Sequence, residues 1–117
     1  MKTLGMLLIL FAMNLSAAEV TGTWKAVVKT EKGTINRTFV FKQDGTSLTG
    51  KTTSDRWGTS AIKNGKIEGD RLSFTITVDI EFGAVKIAMT GKVMGDVIQM
   101  TAEVSGQTLD FAAKRAP

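Results

Sequence analysis

Glycine-containing turn signals recur about every ten residues from Glu31 to Gly106: Glu31-Lys32-Gly33, Asp44-Gly45, Asn64-Gly65, Gly69-Asp70, Gly83, Gly95-Asp96 and Ser105-Gly106. Between them β-branched and aromatic residues alternate with polar ones. No stretch after Val20 keeps helical periodicity for more than two turns. The connections are too short for the crossover of a dozen or more residues that a parallel pair needs, so each strand must return antiparallel beside the last. The pattern therefore predicts an all-β domain. It would have eight strands, near 22–30, 34–42, 46–53, 60–68, 71–79, 85–94, 97–104 and 108–115, forming an antiparallel up-and-down (meander) barrel.

Period-2 alternation assigns the faces. Trp24, Ala26 and Val28 point inward, as do Ile35, Arg37, Phe39 and Phe41, then Leu48, and then Leu72, Phe74, Ile76 and Val78. Inward parity continues through Val85, Ile87, Met89, Gly91 and Val93, then Ile98, Met100, Ala102 and Val104, and ends with Leu109, Phe111 and Ala113. Ile62 and Ile67 differ by an odd number and can share a face only across a bulge, which Asn64-Gly65 can supply. Alternatively Asn64-Gly65 is a hairpin turn, which would add a ninth short strand. Lys66–Thr75 and Lys92–Thr101 repeat the same strand, Gly-Asp turn and strand, as two hairpins obeying one turn chemistry would.

The first 18 residues do not belong to this pattern. Lys2 gives a short positive region, Leu4 to Met13 an apolar core, and Ser16-Ala17-Ala18 a small-residue cleavage site, the three parts of a secretory signal peptide. The apolar run is shorter than the roughly 20 residues of a membrane span, so the mature protein is expected to have none. Cleavage after Ala18 would leave one domain of 19–117, secreted or periplasmic, with 14 basic and 11 acidic side chains and a net charge of +3.

Composition closes most chemistries. The chain has no Cys, no His and no Tyr, which removes disulfides, thiol nucleophiles, the commonest general base and every metal site built on His or Cys. Asp79 and Glu81 are the one close same-strand carboxylate pair, and surface ion pairing accounts for them. Basic residues are scattered among acids rather than striped, which disfavours nucleic acid. The expectation is a non-catalytic protein without metal or cofactor.

Thr21-Gly22-Thr23-Trp24 opens the first strand and Phe111-Ala112-Ala113-Lys114-Arg115 ends the last, with Arg115 on the inward parity. In these residues the chain resembles the calycins, the barrels that include lipocalins, avidins and fatty-acid-binding proteins. The resemblance implies that Gly22 and Trp24 close the barrel floor with Arg115 stacked on the indole. Thr21-Gly22-Thr23-Trp24, Asp44-Gly45 and Leu48-Thr49-Gly50 are similar to avidin and streptavidin in order and spacing, over about 35 residues. The biotin site is not carried: Ala26, Val28 and Thr30 stand at its polar positions and Thr52 at its Tyr, and the chain has only two Trp.

Connection order sorts the turns into two ends. Loops at 31–33, 54–59, 80–84 and 105–107 share the looser end, which carries Arg56, Trp57, Ile80, Glu81 and Phe82; the tight turns at 43–45, 69–70 and 95–96 share the other. An inward Arg37 near the loose end is costly unless partnered. It either reaches water past the rim, pairs with Asp79 or Glu81, or receives an anionic ligand group. Trp57 is a lid over the core or a recognition residue, and Met89 is core filling or the wall of an adaptable pocket. These residues predict binding of a small apolar or anionic amphipathic molecule by Arg37, Trp57, Phe82 and Met89. The alternative is a filled barrel acting as a structural or protein-interaction module.

Overall fold

A computed structural model describes residues 18–117. The expected signal segment therefore lies outside the described residues, except for Ala18. Nine strands follow: β1 (Gly22–Thr30), β2 (Gly33–Asp44), β3 (Ser47–Ser54), β4 (Gly58–Ala61), β5 (Lys63–Glu68), β6 (Arg71–Ile80), β7 (Gly83–Met94), β8 (Val97–Val104) and β9 (Gln107–Arg115). All neighbours run antiparallel, and the pairing of β1 with β9 closes the ring. β4 and β5 both pair with β3, the first through Lys51↔Ala61 and the second through Ser47↔Lys66. They are two halves of one wall strand interrupted at Ile62. The architecture is thus a closed eight-stranded up-and-down barrel, with one extra strand created by that interruption. Among the described residues no helix is long and apolar enough to cross a membrane.

The odd spacing of Ile62 and Ile67 is resolved by a bulge. Between Lys63↔Thr75 and Lys66↔Ser73, β5 carries one residue more than β6. Asn64 takes up the extra length with φ at 55°, a left-handed conformation that Asn tolerates better than most residues. Both isoleucines consequently point into the core. The bulge also presses Gly65 against β3, where a Cβ would run into the Leu48 carbonyl oxygen. Gly50 is restricted twice, because its φ is +142° and a Cβ there would collide with the carbonyl oxygen of Val40.

Packing divides the barrel interior into two halves. In the half nearer the turns at 45–46, 69–70 and 95–96, Phe39 lies 5.6 Å from Phe41, 6.1 Å from Phe74 and 6.2 Å from Phe111, ring centre to ring centre. Phe41 and Phe74 meet edge to face at 5.7 Å. Offset and edge-to-face contacts of this kind add about 0.5–1.5 kcal/mol per pair beyond the area buried. The four rings, with Leu48, Leu72, Ile98 and Met100, leave this half solid. No such aromatic layer fills the other half.

Candidate functional site

The solid end is sealed by the segment before β1. Val20 is buried and its carbonyl accepts a hydrogen bond from Trp24 Nε1 at 3.0 Å, so the indole is satisfied without water. The Arg115 guanidinium carbon lies 4.3 Å from the Trp24 ring centre. Its nitrogens donate to the carbonyl oxygens of Glu19 at 2.9 Å and Thr21 at 3.3 Å and to Asp96 Oδ1 at 3.1 Å. One cation therefore ties the strap at 19–21, the β7–β8 turn and the last strand over the indole. Gly22 faces this arrangement, with Arg115 Nη1 3.6 Å from where its Cβ would stand. The Thr21 hydroxyl and, at 2.9 Å, the Thr21 N–H face the Glu19 carboxylate, and hydrogen bonding from the side chain first and the backbone second holds its pKa below the ordinary value.

The opposite half holds a cavity of about 320 Å³. Its wall is aliphatic and aromatic, with Val28, Ile35, Val78, Ile87, Met89 and Phe111 prominent, and its mouth is bounded by Thr30, Trp57, Ile80 and Ser105. The structure thus places Arg37, Met89 and Trp57 around one space. Phe82 is not among its lining residues: it stands on the β6–β7 turn, 93% exposed.

Arg37 is the one charged side chain on this wall. Only 5% of its surface is exposed, and it neither reaches past the rim nor meets Asp79 or Glu81, both of which are exposed. Among the described residues no carboxylate lies within 4.0 Å of it. Its one hydrogen bond runs from Nη1 to Thr52 Oγ1 at 3.1 Å. Since no sealed side-chain nitrogen or oxygen lacks a partner among the described residues, the remaining N–H groups of Arg37 keep accessible surface, and the cavity is what they line. Burial pushes its pKa below the ordinary value, yet a guanidinium keeps its charge in proteins. The result is a fixed cation in an apolar chamber.

Two polar residues of this region are not among the predicted binding residues, although Thr52 stands at the Tyr position of the avidin resemblance. Thr52 and Ser54 are buried on β3, on the parity that begins with Leu48, so strand alternation carried the signal. Ser54 Oγ accepts the backbone N–H of Arg56 at 3.0 Å and of Trp57 at 2.8 Å, and this small turn holds the indole at the mouth. Trp57 keeps 36% of its surface exposed, with the Arg56 guanidinium 5.7 Å from its ring centre.

No family model matches the chain, and no curated protein matches it. Among solved structures, the REP1-NXSQ fatty acid transporter superposes with a TM-score of 0.56 at 15% sequence identity, over 86% of this chain and 98% of the transporter. At that identity the likeness is one of fold alone, a closed antiparallel β-barrel, and it does not single out avidin.

Proposed function

We propose that the protein is a non-catalytic carrier of one anionic amphipathic molecule, most simply a long-chain carboxylic acid. The observation that carries this reading is Arg37, a buried cation with no carboxylate partner among the described residues, turned toward an otherwise apolar cavity. A planar guanidinium with free N–H groups suits a carboxylate by charge and by fork geometry. The apolar wall would contribute roughly 25 cal/mol per Å² of tail surface buried, before the costs of association. The fold likeness to a fatty acid transporter supports the same reading. A filled barrel is less suited to these observations, because only the half around Phe39 is solid.

Titration with cis-parinaric acid, a fluorescent fatty acid, provides the test. The wild type should bind, and Arg37→Ala should bind about 10-fold or more weakly, the loss of a charge-assisted hydrogen bond. An uncharged alcohol of equal chain length should bind both proteins alike. Absence of binding to the wild type, or equal affinity of the two proteins for the acid, would overturn the reading.

The segment 1–18 supports secretion or a periplasmic location for this carrier. Material exported from cells should begin at Glu19 by mass analysis, and an intact Met1 on it would refute export by cleavage. Glu19 and Val20 would then be the first residues of the mature chain, which is consistent with their place in the floor.

A further inference from the structure

The barrel is closed unevenly. β1 is laddered to β2 along its whole length, from Gly22↔Phe41 to Thr30↔Gly33, and β9 to β8 from Val104↔Gln107 to Val97↔Lys114. Between β1 and β9, however, pairing covers only Trp24↔Arg115, Lys25↔Lys114 and Ala26↔Ala113. Both strands continue toward the cavity end, over Val27–Thr30 and Gln107–Ala112, without joining each other. An open groove of about 810 Å³ occupies this part of the wall, with Lys29 and Thr30 on one bank and Thr108 and Leu109 on the other. Ile35 of β2 and Ala102 and Val104 of β8 also line it, and these same inward residues line the cavity. The groove therefore meets the cavity beside the mouth residues Thr30 and Trp57, which line both, and runs from there down the side of the barrel between β1 and β9.

We propose that this seam between β1 and β9 is the lateral passage through which the amphipathic ligand enters and leaves, so that the molecule need not pass over the rim. The inference rests on the carrier reading above. Three observations bear on it. The last closed rung holds Ala26, and Ala26 lies opposite Arg37 across β1 and β2, so the seam opens at the level where the head group would be received. The groove is bordered by Lys29, Lys32 and Arg56 against the single acid Glu31, an excess of cations that draws an approaching anion to this side. The edges are already unpaired, so opening the passage breaks no ladder hydrogen bond; β4 and the end of β6 also lack a ladder at this end, but there Ser60 Oγ donates to the Thr77 carbonyl at 3.0 Å and ties the two strands.

The test bridges the passage chemically. Because the chain has no Cys, Lys29→Cys with Asp110→Cys gives two unique thiols on facing edges. Joining them with a short bismaleimide should slow the association of cis-parinaric acid about 10-fold or more by stopped flow, and slow dissociation in parallel. The reference is the same double variant capped with N-ethylmaleimide, which has lost the same charges. As a second variant, Val27→Cys with Ala112→Cys would place a disulfide one rung beyond Ala26↔Ala113, and its oxidised form should be slower than its reduced form. Equal rates for bridged and capped protein, and for oxidised and reduced protein, would overturn the passage while leaving the carrier reading intact. Failure of the unmodified wild type to bind the acid would remove both.

Discussion

Trp24→Ala should lower the unfolding free energy by about 3–5 kcal/mol, a large share of the about 5–15 kcal/mol that holds a domain. Trp24 is fully buried, and its removal acts in three ways. It opens a cavity in the floor, it leaves the Val20 carbonyl without the indole N–H, and it takes away the ring on which Arg115 rests. The three effects are coupled, because Arg115 also holds Glu19 and Thr21; loss of the ring frees the strap that covers the interior. Trp24→Phe should cost less, since it keeps most of the apolar volume and forfeits the hydrogen bond. Urea unfolding followed by circular dichroism checks this, because a shift in midpoint at unchanged slope reports stability alone. An unshifted midpoint for Trp24→Ala would mean that the floor contributes little to holding the barrel closed.

Different parts of this molecule were legible in the sequence for different physical reasons. Alternation is a local property, so the inward set from Trp24 to Ala113 could be read strand by strand. The bulge at Asn64-Gly65 showed itself as a parity conflict between Ile62 and Ile67. Its second consequence, the break at Ile62 that divides the wall strand into β4 and β5, left no separate mark. Connection order places a turn at one end of the barrel and says nothing of which way its side chains project. Trp57 and Phe82 were therefore equivalent in the sequence, yet one is held against the mouth by Ser54 and the other points to solvent. Inward parity also identified Arg37 as unusual, while Thr52, inward by the same alternation and standing at the Tyr position of the avidin resemblance, carried no sign that it would partner Arg37. The seam was not legible at all. Where a ladder between the first and last strands stops depends on how the whole sheet twists and closes, and no residue of β1 or β9 announces it.

Arg37→Met should make the ligand-free protein more stable, by about 1–4 kcal/mol, taking for this unpaired charge the range seen when buried ion pairs give way to apolar residues of similar volume. Arg37 is buried, and among the described residues its one hydrogen bond is to Thr52. Desolvation therefore opposes its charge without an ion pair to offset it, which is the cause of its lowered pKa. The sign follows from linkage. A base whose pKa falls on folding weakens the folded state while it is protonated, and this cost begins to fall as the pH rises through the folded value and is gone only above the unfolded one. From about pH 5 to 8 both states keep the proton, so the gain from Arg37→Met should be flat across that window. With a fatty acid present the order should narrow or reverse. A ligand at about 100 times its Kd stabilises by about 2.7 kcal/mol, and the variant, binding the carboxylate more weakly, should gain less at the same concentration. Thermal unfolding of both proteins with and without cis-parinaric acid measures all four states. A ligand-free variant less stable than the wild type would show that Arg37 is a structural support, and that its charge does not reserve the cavity for an anion.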